Sequence, residues 1–136
     1  MVVDASVLVS HLVPHDVHHS ASRAWLTDHV RDGGLVIAPA LLLPEIAGAV
    51  ARRTGAPRLA QRAIEAVLKL PGLRLPVDDV LGRAAAGLAA RLRLRGADAI
   101  YIAAAVSLRL PLVTWDAEQR ERAARIIEVV VPEAGT

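Results

Sequence analysis

Met1-Val2-Val3-Asp4-Ala5-Ser6-Val7-Leu8-Val9 opens the chain, and its reading decides the fold. Val2 and Val3 are β-branched and apolar on both faces, as in a strand covered from either side. Asp4 then closes the run, and Ala5-Ser6 turns the chain into Val7-Leu8-Val9 and His11-Leu12-Val13, a helix heading toward Pro14. A strand end feeding a tight turn rarely needs an acid, so Asp4 is the first candidate functional residue.

The same punctuation repeats along the chain. Residues 20–30 carry Ala21, Ala24, Trp25 and Val30 at near-helical spacing, and Gly33-Gly34 breaks that helix. Residues 35–38 read as a second strand, 39–53 as a helix ending before Gly55, and 57–70 as a helix stopped by Pro71-Gly72. A third strand is expected at 73–77, followed by a helix with Asp78-Asp79 at its positive end and running to about Leu94. Gly96 interrupts the pattern, and residues 98–108 form a helix apolar nearly all round, hence central. Residues 112–114 make a fourth strand, 117–125 a polar helix and 126–131 a fifth strand. Continuous apolar strands alternating with helices predict an α/β fold, a three-layer α/β/α sandwich on a central parallel sheet of about five strands.

At 136 residues the expectation is one domain over 1–136, long enough to bury a full core. The composition is 54% hydrophobic with a mean hydropathy of +0.40. No charge-free run approaches the roughly 20 residues that span a bilayer, so the excess apolar surface reads as core plus a protein interface, with no membrane role. The chain begins in a strand-like run with no basic, signal-like segment, and it has no cysteine. Both features fit the cytoplasm and exclude disulfides and thiolate zinc sites. Net charge is +2, carried almost wholly by arginine, since Lys69 is the only lysine. Arginine suits phosphate through its planar fork of donors.

Asp4 is joined by three more acids in apolar settings. Glu45 follows Leu41-Leu42-Leu43-Pro44, Asp98 stands between Ala97 and Ala99-Ile100, and Asp116 ends Pro111-Leu112-Val113-Thr114-Trp115. Taken singly, Asp98 and Asp116 could cap helices and Glu45 could be solvated. In a parallel sheet, however, ligands bind beyond the carboxyl ends of the strands. Asp4 and Asp116 end the first and fourth strands, Glu45 is expected about two turns into the helix after the second, and Asp98 begins the helix leading into the fourth. Acids converging there need a cation among them, and the suitable one is a hard divalent ion, Mg2+ or Mn2+. Such a site points to phosphate chemistry.

These segments together resemble a known family. Asp4-Ala-Ser6-Val-Leu-Val, Pro44-Glu45, Arg95-Gly-Ala-Asp98-Ala-Ile-Tyr101-Ile-Ala-Ala and Leu112-Val-Thr114-Trp-Asp116 are similar to the signatures of PIN-domain nucleases, and most of all to VapC-like toxins of bacterial toxin–antitoxin modules. The resemblance covers essentially the whole chain in order and spacing. It implies a Mg2+- or Mn2+-dependent endoribonuclease whose acidic quartet falls on Asp4, Glu45, Asp98 and Asp116. It implies Asp4, Asp98 and Asp116 as direct metal ligands, Glu45 as a ligand or an aid to the nucleophile, and Ser6 and Thr114 as hydroxyls orienting Asp4 and Asp116. Products would carry a 5′-phosphate and a 3′-hydroxyl. A small cognate antitoxin covering the acids is implied as a partner, with the helices at 41–53 and 57–70 as the docking groove, and the expected assembly is a homodimer or a higher hetero-oligomer with the antitoxin.

For RNA contact the candidates are Arg91, Arg93 and Arg95, which lead up to Asp98, and Arg52-Arg53, which end the helix carrying Glu45. Trp115 is the candidate for stacking on a base, while Tyr101 and Trp25 read as core. The cluster His15-Asp16-Val17-His18-His19 has metal-ligand spacing but reads better as a solvated loop. Two rival functions remain at this point. A phosphatase on a similar sheet lacks its second acid in Asp4-Ala5-Ser6, and a non-catalytic RNA-binding module would have no use for an intact quartet.

Overall fold

The computed structural model describes residues 1–133, so the last three residues of the expected 1–136 unit lie outside the described residues. The elements run β1 (Val2–Val3), α1 (Ala5–Leu12), α2 (His19–Arg31), β2 (Val36–Pro39), α3 (Leu42–Thr54), α4 (Pro57–Leu68), β3 (Gly72–Leu75), α5 (Asp79–Leu92), α6 (Gly96–Leu108), β4 (Leu112–Val113), α7 (Ala117–Ala123) and β5 (Val129–Val130). The strands form a five-stranded sheet in the order β3-β2-β1-β4-β5. Every pairing is parallel, with Val2 opposite both Ile37 and Leu112 and Val3 opposite Val113. The expected α/β/α sandwich with a parallel sheet of five strands is the fold observed.

Right-handed crossovers carry the chain outward from β1 through β2 to β3, then back across to β4 and β5. They place α1 to α4 on one face of the sheet and α5 to α7 on the other. Burial follows the apolar pattern of the sequence. Val2, Val3, Leu112 and Val113 are wholly inaccessible, as are Ile46 of α3 and Tyr101 and Ile102 of α6. Helix α6 packs on β1, β2 and β4, which explains why its sequence lacks a polar face. Burying each such Val, Leu or Ile contributes about 1.5–3 kcal/mol. Among the described residues, no helix is long and apolar enough to cross a membrane.

Several boundaries differ from the sequence reading, with consequences for the acids. Pro39 ends β2, pairing opposite Leu75, so α3 starts only at Leu42. Glu45 therefore sits in the first turn of α3 and not two turns along it. Gly96 opens α6 instead of interrupting the chain, which leaves Asp98 in the first turn. Helix α5 ends at Leu92 because Arg93 takes the left-handed conformation, φ 54°. The fifth strand is shorter than expected, since Ile126 and Ile127 fold back onto the Ala123 carbonyl at the end of α7.

Candidate active site

Asp4 leaves the central strand at its carboxyl end and caps α1, its Oδ2 accepting the Ser6 backbone N–H at 2.9 Å. Its own N–H donates to the Val113 carbonyl at 2.9 Å, so the last pairing of β1 with β4 fixes where the acid stands. Asp116 stands just beyond β4 and caps α7, with Oδ1 accepting the Gln119 N–H at 2.7 Å. Capping explains the local structure of both residues; it does not explain why both are acids at neighbouring strand ends.

The other two acids arrive from opposite faces of the sheet. Glu45 of α3 accepts the Tyr101 hydroxyl proton at Oε1, 2.7 Å away. Asp98 of α6 lies 3.3 Å through Oδ2 from Arg95 Nε, and the same guanidinium reaches Asp116 Oδ2 at 3.6 Å. The structure thus gathers all four sequence-derived acids at one edge of the sheet.

Their electrostatics reflect that crowding. Asp4 is 7% exposed, and burial raises its pKa above the usual carboxylate value against the lowering effect of bonds from Ser6 and Gln119, with the Asp116 charge adding to the rise. Burial also raises Glu45, opposed by the Tyr101 bond and helped by the charges of Asp4 and Asp98. Asp98 is raised by burial and by Asp116 and Asp4, with Arg95 pulling the other way. Each of the three is held toward its neutral form in the absence of a sufficient positive charge.

Behind the acids lies a hydroxyl pair. Ser6 Oγ and Thr114 Oγ1 are 3.3 Å apart, Ser6 Oγ accepts the Trp115 N–H at 3.1 Å, and Thr114 Oγ1 accepts the Asp116 N–H at 3.1 Å. The two hydroxyls therefore hold the backbone of the β4–α7 turn, setting Asp116 through its main chain.

As the side chains stand, no three acids or histidines among the described residues lie close enough to share one ion. The cation between Asp98 and Asp116 is the Arg95 guanidinium. The donors at this edge are nonetheless all carboxylate oxygens, the donor chemistry of a hard divalent ion.

The remaining candidates divide. Arg95 is beside the acids, with its side chain 75% exposed. Arg53 is ion-paired with Asp16. Arg93 ends α5 and its carbonyl is held by Arg122, while Arg52 is exposed on the last turn of α3. Arg91 lines a cavity of about 480 Å3 between α5 and α6, which no member of the quartet lines. Trp115 stacks on His18 with ring centroids 3.8 Å apart and donates Nε1–H to Ser22 Oγ at 2.7 Å. The histidine cluster is a tied loop and holds no metal-ligand group: Asp16 accepts the His18 N–H, and His19 Nδ1 meets the Ser10 carbonyl.

Sequence reasoning missed two contributors. Tyr101 reads as core and is core, yet its hydroxyl binds Glu45. Gln119 lies between Glu118 and Arg120 in a polar helix and looks solvated, but it is wholly buried among the acids. The available signal was its position three residues after Asp116, on the side of α7 where a cap's partner sits.

Similarities to known proteins agree with this geometry. No curated protein matches the chain in sequence. The VapC20 toxin of Mycobacterium tuberculosis, a sarcin-ricin loop cleaving toxin, superposes with a TM-score of 0.75 at 18% identity, covering 93% of this chain and 95% of that one. VapBC2 of Rickettsia felis, solved bound to a promoter DNA fragment, gives 0.73 at 12% identity over 96% of each chain. FitAB, bound to the IR36 DNA fragment, gives 0.67 at 18% identity over 96% of this chain and 94% of that one. At such identities the likeness is one of fold. The PIN domain family model, however, matches residues 1–125, a span that holds the whole acidic quartet, and the chain belongs to the PIN domain family.

Proposed function

We propose that this protein is a Mg2+- or Mn2+-dependent endoribonuclease, the toxin of a toxin–antitoxin pair, acting in the cytoplasm as one catalytic domain. The observation that carries the reading is the convergence of Asp4, Glu45, Asp98 and Asp116 from four separate elements, with three of them held above their ordinary pKa by burial and by each other. Acids selected for stability alone would be dispersed or paired with bases.

Asp4, Asp98 and Asp116 would hold the ion, with Glu45 beside it. When bound, the divalent ion supplies positive charge to the phosphodiester and makes an attacking water more acidic. The chain's own residues do the rest. Tyr101 orients Glu45, Ser6 and Thr114 fix the turn that presents Asp116, and Arg95 offers donors to a phosphate oxygen next to the bond that is cut. Trp115, backed by His18, offers a ring to an unpaired base, and Arg52 and Arg93 are further candidates for flanking phosphates.

An RNA target and an antitoxin partner gain support from the relatives: VapC20 cleaves the sarcin-ricin loop, and VapBC2 and FitAB are named as pairs. The outer face of α4 suits a helical antitoxin segment, because its Leu59 and Leu68 are 44% and 46% exposed. The expected assembly is a homodimer or a higher hetero-oligomer with the antitoxin.

The test is cleavage of total cellular RNA by the purified, antitoxin-free protein. Discrete fragments with Mg2+, lost with EDTA and with Asp4→Asn, are expected. Asparagine keeps the cap on α1, so loss of activity would not stem from unfolding. Folded, metal-loaded protein that binds RNA but leaves it intact would sink the enzyme reading in favour of a binding module.

A further inference from the structure

Gln119 touches three of the four acids. Its backbone N–H donates to Asp116 Oδ1 at 2.7 Å, and its side-chain Nε2 lies 3.4 Å from Asp4 Oδ1 and 3.3 Å from the Asp98 carbonyl oxygen. The side chain has no solvent exposure. One residue of α7 thereby links the end of β1, the first turn of α6 and the turn after β4.

The chemistry fixes which way the amide points. Both side-chain partners are acceptors, so both require the NH2 end, and flipping the amide would set oxygen against oxygen. That orientation leaves Gln119 Oε1 buried with no hydrogen-bond partner. A leucine or methionine would remove that orphaned oxygen but would also leave Asp4 Oδ1 and the Asp98 carbonyl without the Nε2 donor, so what glutamine brings to this position is its donor and not its fit. With Ser6 N–H on Oδ2 and Gln119 Nε2 on Oδ1, both oxygens of Asp4 are directed by donors and the plane of the carboxylate is set.

We propose that Gln119 is the positioning residue of the acidic site, setting the plane of Asp4 and its spacing from Asp98 and Asp116 for divalent-ion binding. The inference rests on the metal-dependent reading above and adds a residue to it. Gln119 acts through the acids and contacts no substrate.

The test compares the full-length protein with Gln119→Met, measuring Mn2+ affinity by calorimetry and thermal stability in chelator. Methionine keeps the volume and removes both the donor and the orphaned oxygen. Mn2+ binding weakened by about 10- to 100-fold in a variant that remains folded is expected, the usual effect of losing a group that orients a ligand. A residue with only a packing role would lose stability in chelator and keep its Mn2+ affinity. Gln119→Leu repeats the measurement should the methionine variant fail to fold. Unchanged Mn2+ affinity in a folded variant would overturn the proposal and leave the nuclease reading intact. Failure of the wild-type protein itself to bind Mn2+ would overturn both.

Discussion

Tyr101 donates its phenolic proton to Glu45 across 56 residues of sequence, joining the innermost helix, α6, to the first turn of α3 over 2.7 Å. Burial, then Glu45 itself, raises the Tyr101 pKa far above its ordinary value, so the hydroxyl stays a donor at any working pH. The core of the protein thus reaches directly into the acid cluster.

Tyr101→Phe removes that donor and, with the oxygen, the acceptor of the Ala5 backbone bond. Stability should fall by about 1.5–3 kcal/mol, the range for a hydrogen bond to a charged acceptor, as read by urea denaturation. The Glu45 carboxyl should rise further, because the lost bond was lowering it. Cleavage should therefore need more Mn2+ for half-maximal rate. A variant with wild-type stability and metal requirement would show that Glu45 takes no direction from Tyr101.

The pH dependence of the chelated protein has a definite sign. Asp4, Glu45 and Asp98 are all raised by burial in the folded chain, so between the unfolded carboxylate value of about 4 and their folded values the native state holds more protons. Stability should then fall as pH rises through that window. Asp16 acts oppositely: burial pushes it up, but the Arg53 and His18 bonds outweigh that and lower it. Its contribution is present above about pH 4 and is lost as pH falls through its folded value. His11 opposes the loss nearer neutral pH, because burial lowers its pKa and folding favours the neutral ring. Denaturation in EDTA from about pH 4 to 5.5, below the ordinary histidine value, should show the net loss, and Mn2+ should reverse it by binding the ionised acids. Stability that climbs steadily in EDTA would contradict the raised carboxylates.

Thr114→Val is nearly isosteric and strips the acceptor from the Asp116 N–H. Thr114 is fully buried, so the cost should be about 1–3 kcal/mol. Activity should drop as well, by roughly 10-fold or more if the turn loosens. The valine variant's melting point and its rate on RNA decide this together.

Arg109 ends α6 in the left-handed conformation, φ 54°, where a Cβ is crowded. Arg109→Gly should gain up to about 1 kcal/mol from relief of that crowding, less the greater freedom of glycine in the unfolded chain. It lies at the opposite end of α6 from Asp98, so RNA cleavage should be unchanged. Destabilisation would mean that the arginine side chain contributes more than the backbone strain removes.

The strands and three of the acids were legible because parallel-sheet chemistry is written locally. Val2-Val3 and Leu112-Val113 are too short and too apolar to be anything but covered strands, and the acids that end them announce the edge where ligands bind. Glu45 was found, but its place in α3 was not, since Pro39 reads as a helix opener while the sheet keeps it as the last residue of β2. Tyr101 and Gln119 escaped for one shared reason. Their roles are fixed by partners 56 and 115 positions away, and no local pattern records such a partner.

The pairing of Val2 with Leu112 and of Val3 with Val113 has a consequence for the timing of synthesis. Asp4 is made well before β4, the strand that fixes it. Until β4 has left the ribosome, Asp4 has neither the Val113 carbonyl nor the α7 residues that set its carboxylate. The acid cluster therefore cannot assemble from local structure alone, and its completion waits on a pairing between distant parts of the chain.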